Sequence, residues 1–118
     1  MGGSARARQR IPVAPLRVRF LAEGLDAIGE LTEISRTGVF VQAEESPRPG
    51  AVVALQFWTP AGELVDLRGE VRWNTEGLAN ADGLRGFGVL MHEPSLKYRE
   101  FFLWAQAEKE EELEPEEL

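Results

Sequence analysis

The sequence predicts an all-β domain with a C-terminal helix, built as a six-stranded antiparallel β-barrel. Six short apolar segments, alternating or rich in β-branched residues, are separated by turn residues such as Gly, Pro and Asn. After the last segment the apolar residues recur at helical spacing. The chain of 118 residues is long enough for one such domain, and closure is favoured because it removes exposed sheet edges.

The first three strands are predicted to form a meander. LRVRFLAE (16–23) begins with alternating apolar residues and arginines, which is the period of a half-buried strand. A turn at Glu23-Gly24 leads to the second strand, DAIGELTEIS (26–35). The polar break SRTG (35–38) separates it from the third strand, VFVQA (39–43), whose β-branched and aromatic residues favour strand structure.

The remaining strands are predicted at AVVALQFW (51–58), LVDLRGEVRW (64–73) and GFGVLM (86–91), with a polar loop at 74–83. The glycines of the last segment indicate close backbone approach or curvature. The inward faces of the fifth and sixth strands are predicted to carry Val65, Leu67, Gly69, Val71, Trp73, Phe87, Val89 and Met91.

A helix is predicted to follow the sixth strand. Ser95, directly after Pro94, is a suitable N-cap. Aromatic and small residues then recur three and four positions apart, which is typical of a buried helical stripe. The helix is expected to fray near residue 108, where a run of Glu begins. The predicted buried stripe is Tyr98, Phe101, Phe102 and Ala105, with Trp104 nearby.

Charge divides the chain into three parts. The net charge is −7, and residues 108–118 contribute −6 of it through seven Glu and one Lys. Residues 1–19 carry five Arg and no acid. We therefore expect a flexible Arg-rich arm at 1–12, a barrel with its helix at 13–107 and an acidic tail at 108–118. Arginine without lysine favours recognition of phosphates or planar bases, although such arms are also often only solvated.

The catalytic inventory is poor, so we expect no enzyme. Cysteine is absent, and the single histidine, His92, stands at a strand end where His is usually a surface residue. No zinc-ligand spacing, EF-hand loop or P-loop occurs, so neither a metal nor a cofactor is expected. The lack of cysteine, of a secretory signal and of a long apolar run indicates a cytoplasmic protein without membrane insertion.

The arm and the SRTG break are expected to meet. In a meander, the chain before strand one and the break after strand two lie at the same end of the barrel. One ligand could then touch Arg6, Arg10, Glu33 and Ser35. A carboxylate accepts hydrogen bonds from a guanine edge, and guanidinium groups pair with purine acceptors or phosphate. This combination suits a purine that carries phosphate, although SRTG is also a competent turn by itself.

RARQR (6–10), followed by EISRTG (33–38) and RGFGVLM (85–91), resembles the PilZ domain family, whose signature is RxxxR and then [D/N]xSxxG. The resemblance covers residues 6 to about 105. It implies a six-stranded barrel with a C-terminal helix, and many members are receptors for cyclic di-GMP. Carried over, Arg6 and Arg10 would hold phosphate and guanine faces, Glu33 and Ser35 would bind a guanine edge, and Gly38 would give the turn its backbone freedom.

The sequence departs from the family pattern at Glu33, where Asp or Asn is usual. Glu keeps the acceptor oxygens but moves them by about one bond length, more than the ~0.5 Å that a productive site tolerates. Two hypotheses follow. The chain is a cyclic di-GMP sensor that regulates a partner protein, with a link to motility or surface processes in families of this kind, or it is a degenerate PilZ-like interaction module that binds no nucleotide.

A third class, a nucleic-acid-binding barrel, is disfavoured because basic residues are concentrated in the arm and no broad positive face is predicted. We therefore expect no DNA partner. The partner protein, the output pathway and the oligomeric state are not determined by these 118 residues.

Overall fold

A computed structural model of the chain describes residues 10–76 and 85–113, with side chains up to residue 110. Most of the arm including Arg6, most of the 74–83 loop and the end of the acidic tail lie outside the described residues. The predicted strands and helix are all present. Their bounds are β1 Ile11–Ala22, β2 Leu25–Ile34, β3 Gly38–Gln42, β4 Val52–Trp58, β5 Leu64–Asn74, β6 Gly86–Met91 and α1 Leu96–Leu113.

The strands form a closed barrel in the order β1-β2-β3-β6-β5-β4, and every neighbouring pair is antiparallel. Pairing of β1 with β4 closes the barrel, which confirms the predicted fold class. The ends of β2, β4 and β6 therefore lie at one mouth, together with the start of β1. The core is apolar, and its largest fully buried side chains are Tyr98, Phe20, Phe57, Phe87, Leu31, Ile34 and Leu55.

Strand β1 begins at Ile11, earlier than the alternation predicted. Its register with β2 shifts between Pro12 and Leu16. Proline has no amide hydrogen for the ladder and is tolerated where the pairing is interrupted in this way. Ile11 pairs with Ile34, so the chain just after Arg10 is held in the sheet rather than in the arm.

Trp73 does not face the barrel interior, so that part of the predicted inward face is wrong. Val71 pairs with Val89 and Trp73 pairs with Gly88, which leaves one extra residue in β5. Phe87 and Val89 are buried inside, so Gly88 between them faces outward and Trp73 faces outward with it. This β-bulge reverses the alternation for the last residues of β5. The other predicted inward residues of β5 and β6 are buried.

Helix α1 packs on β1 and β5 at the mouth where β6 ends. The Ser95 hydroxyl accepts a hydrogen bond from the Tyr98 amide at 3.2 Å, which confirms the predicted N-cap. The four residues of the predicted stripe are all buried. The helix continues to Leu113 rather than ending near 108, because Glu and Lys are good helix formers even without packing. Within the described ranges, no helix is long and apolar enough to cross a bilayer.

Candidate ligand-binding cleft

The SRTG segment forms a turn with a dense set of hydrogen bonds. The Ser35 amide donates to the Gly38 carbonyl at 2.8 Å, and the Gly38 amide donates back to the Ser35 hydroxyl at 3.0 Å. The Met91 amide donates to the Thr37 carbonyl at 2.7 Å, which ties the turn to the end of β6. The Ser35 hydroxyl therefore helps to build the turn.

Gly38 is required for space rather than for an unusual backbone angle. Its φ is not positive, in contrast to those of Gly24, Gly50 and Gly62. A Cβ atom at position 38 would lie 2.8 Å from the Val89 carbonyl oxygen. The expected role in backbone freedom is therefore wrong, and the glycine instead allows β3 to approach β6.

Arg10 and Glu33 meet beside this turn. The Arg10 Nη1 atom is 3.4 Å from Glu33 Oε1, and the two side chains are 54% and 42% exposed. The guanidinium carbon of Arg10 also lies 5.6 Å from the centre of the Trp73 ring. Arg10 is thus held by a long ion pair on one side and a cation–π contact on the other.

An aromatic platform forms the floor of the cleft. Phe40 and Trp73 stack with ring centres 5.3 Å apart and an interplanar angle of 19°. Both residues pair with Gly88, one from each neighbouring strand. A Cβ atom at Gly88 would lie 2.5 Å from the Trp73 Nε1 atom. Only glycine therefore lets the indole lie across the outer wall and reach Phe40.

The cleft follows one row of strand pairing across the outer wall. Glu33 pairs with Phe40, Phe40 with Gly88, and Gly88 with Trp73. The cleft has a volume of about 440 Å³, which is in the range of small-molecule sites. Of the predicted site residues, the structure brings Arg10, Glu33, Ser35 and Gly38 to this cleft. Arg6 lies outside the described residues.

Sequence reasoning missed the contributions of Phe40, Arg72 and Trp73 to the cleft. Arg72 is exposed and, among the described residues, has no ion-pair partner. The sequence offered one signal, which was Gly88 in β6. It becomes informative once the strand order and the bulge show that Phe40 and Trp73 lie beside this glycine.

Behind the turn, the fully buried Tyr98 of α1 donates a hydrogen bond from its hydroxyl to the Ser35 carbonyl at 2.6 Å. The same hydroxyl lies 3.3 Å from the Gly38 carbonyl. Burial raises the pKa of Tyr98 well above its ordinary value, so the hydroxyl stays protonated and remains a donor at physiological pH.

A larger cavity of about 890 Å³ lies elsewhere, across the outer faces of β1, β4 and β5. It contains none of the predicted site residues. Its Arg19 already binds Asp26 in a bidentate pair, with contacts of 3.0 and 2.7 Å. His92 at its rim is exposed, and its Nε2 atom is 3.9 Å from Glu70 Oε1. Of these two cavities in the described part of the chain, the smaller cleft is the better candidate, because it combines exposed arginines with a flat aromatic floor.

Within the part of the chain that the structure describes, no three His, Asp or Glu side chains come close enough to hold a metal ion.

The fold and the cleft are those of a small β-barrel module with a capping helix. The sequence profile of the PilZ domain matches residues 4–101, and the chain belongs to this family. The fold is similar to that of the solved structure of the Bacillus subtilis inhibitor of motility (MotI/DgrA), with a TM-score of 0.74 and 16% identity. The match covers 90% of this chain and 53% of that chain, so this chain spans about half the length of that protein. No curated protein matches in sequence.

Proposed function

We propose that this chain is a cyclic di-GMP-binding sensor or adaptor domain, and that the nucleotide binds in the cleft beside the 35–38 turn. One observation carries the proposal: Arg10, Glu33, Ser35 and Gly38 line a single cleft although they come from separate parts of the chain. In this proposal the domain acts in the cytoplasm and regulates a partner protein in a motility or surface process.

The groups of the cleft suit a guanine nucleotide. Arg10 and Arg72 offer two guanidinium forks, which bind phosphate oxygens or guanine acceptors. Glu33 accepts hydrogen bonds from a guanine edge. The platform of Phe40 and Trp73 offers a flat surface for base stacking. Arg6, the other Arg of the RxxxR motif, would close the site from the arm, a role carried over from the family.

The Arg10–Glu33 contact is weak enough for contacts with a ligand to replace it. Ion pairs between half-exposed side chains contribute less than about 1 kcal/mol, so breaking this one costs little. A nucleotide would give each partner a replacement, phosphate for Arg10 and a guanine edge for Glu33. Ordering of the arm around the nucleotide would then present a new surface to the partner protein.

The alternative is a degenerate interaction module in which the cleft holds no nucleotide. The same ion pair supports it, because the longer side chain of Glu33 reaches Arg10. If the pair persists, it occupies both the base-binding acceptor and the phosphate-binding fork. A protein partner would then be bound without a second messenger.

Calorimetric titration with cyclic di-GMP separates the two proposals. The sensor predicts binding by the wild-type chain and loss of binding in Arg10→Ala. Arg19→Ala is the matched control, because Arg19 is also an exposed arginine paired with a β2 carboxylate but lies away from the cleft. If only Glu33→Asp binds, the site is disabled by one methylene. Absence of binding in every variant, with the barrel folded, supports the interaction module.

A further inference from the structure

Tyr98 joins the C-terminal helix to the turn that borders the cleft. It lies 63 residues from Ser35 in sequence, yet its hydroxyl is 2.6 Å from the Ser35 carbonyl oxygen and 3.3 Å from that of Gly38. Its side chain is fully buried. The contact ties the interior side of the turn to α1, while the outer side of the same turn lines the cleft.

Loss of this hydroxyl would leave the Ser35 carbonyl oxygen without its hydrogen-bond donor, whereas the Gly38 carbonyl would keep the Ser35 amide. A buried acceptor that loses its donor must find another or shift toward water. Ser35 lines the cleft, so a shift of its carbonyl would move the edge of the cleft. The opposite also holds: a ligand that moves the turn must move Tyr98 and the helix that carries it.

Aromatic rings continue from Tyr98 along the helix. Its ring centre lies 6.3 Å from that of Phe101, which lies 6.0 Å from that of Trp104. Phe101 is buried against Phe57 of the barrel, with ring centres 5.4 Å apart. Trp104 is 47% exposed and borders a groove against the turn between β4 and β5. The rings thus run from the back of the cleft to the outer surface of the helix.

We infer that Tyr98 is a positioning residue of the ligand cleft, and that it couples occupancy of the cleft to the exposed Trp104 face of α1. The coupling to a nucleotide rests on the proposed function, whereas the positioning of the turn does not. The hydrogen bond fixes the relative position of the turn and the helix. Because the rings behind it are closely packed, a change at the turn shifts them together.

The first test uses Tyr98→Phe, which keeps the ring and removes only the hydroxyl. We expect the affinity for cyclic di-GMP to fall about tenfold, which corresponds to one lost buried hydrogen bond. Thr75→Val is the matched control, because the Thr75 hydroxyl accepts a hydrogen bond from the Gly86 amide at 2.9 Å, where β6 begins and far from the turn. An equal loss of affinity in both variants would indicate general destabilisation and overturn the inference.

The second measurement is the NMR signal of the Trp104 indole N–H, identified by its disappearance in Trp104→Phe. Cyclic di-GMP should shift this signal in the wild-type chain and shift it less in Tyr98→Phe at saturation. A role limited to stability would leave the shift unchanged. Wild-type affinity together with a wild-type shift in Tyr98→Phe would overturn the inference even if the nucleotide binds.

Amide hydrogen exchange measured without ligand tests the positioning role of Tyr98 separately from the proposed binding of cyclic di-GMP. The Ser35 and Gly38 amides are both bonded within the turn, and Tyr98→Phe should accelerate their exchange while the Gly86 amide keeps its wild-type rate. If the wild-type chain binds no cyclic di-GMP, the proposed function fails, but faster exchange at the turn still supports positioning by Tyr98. Unchanged exchange at Ser35 and Gly38 overturns it.

Discussion

Two arginine–carboxylate pairs involve a carboxylate of β2, one with Arg19 of β1 and one with Arg10 just before β1, and the two pairs differ in their surroundings. Arg19 binds Asp26 through two hydrogen bonds of 3.0 and 2.7 Å, in which each carboxylate oxygen accepts one. Arg10 reaches Glu33 through one contact of 3.4 Å and also lies against Trp73. The first pair is complete and belongs to the exposed surface. The second keeps unused donors and acceptors beside an aromatic floor, so it is the pair at which we propose that a ligand binds.

A larger residue in place of Gly88 should have the largest effect on ligand binding in the cleft. In Gly88→Ala the new methyl group collides with the Trp73 indole, so the platform is displaced and binding of cyclic di-GMP should be lost. Overpacking of this kind costs about 1–3 kcal/mol of stability. Titration and thermal unfolding measure the two effects.

Gly29→Ala is the control for Gly88→Ala, since its Cβ would lie 2.6 Å from the Gln42 carbonyl, away from the cleft. It should destabilise the barrel by a similar amount and leave the affinity unchanged. If both variants bind as the wild type does, the platform takes no part in binding.

Replacement of Trp73, which offers a stacking surface, should have the next largest effect on affinity. Trp73→Leu keeps an apolar side chain but removes the flat ring, and base stacking contributes about 1–3 kcal/mol, so a loss of about tenfold or more in affinity is expected. Trp58→Leu is the matched control, because Trp58 is 63% exposed and lies outside the cleft. Equal affinities for the two variants would argue against stacking on Trp73.

Removal of the second cleft cation should have a smaller effect. Arg72→Gln is expected to weaken binding by about threefold at low salt, since an exposed charge contributes less than about 1 kcal/mol. The difference from wild type should shrink as salt is added, because screening weakens such contacts. Arg17→Gln makes the same change in net charge on an exposed β1 residue outside the cleft and should bind as the wild type does. A salt-independent difference would contradict an electrostatic role.

The smallest effect on affinity is expected when the Arg19–Asp26 pair is changed. The hydrogen bond from Arg19 holds the pKa of Asp26 below its ordinary value of 3.8. A folded-state pKa below the unfolded one means that stability is present above pH 3.8 and is lost as pH falls through the lower folded value. Asp26→Asn should remove a small part of the acid sensitivity of the melting temperature. Its affinity for cyclic di-GMP should not change, and a changed affinity would mean that this pair also belongs to the site.

The turn shows how far sequence reasoning reached into the site. Glu33, Ser35 and Gly38 could be proposed because a polar break between two strands has a recognisable composition and spacing. The sequence did not reveal their detailed roles. The Ser35 hydroxyl accepts a hydrogen bond within the turn, and Gly38 is needed for contact with β6. Such roles depend on what lies opposite a residue, and alternation along one strand carries no information about the neighbouring strand.

By itself the sequence determined the order of six strands and a helix, the N-cap at Ser95 and the buried stripe of α1. These features follow from local periodicity and turn chemistry, which a single segment contains. Only the tertiary structure decided that β1 pairs with β4, that a bulge turns Trp73 outward onto Phe40, and that Tyr98 reaches the back of the 35–38 turn. The physical reason is that register, bulges and buried hydrogen bonds are properties of two segments in contact, and they form only when the barrel closes.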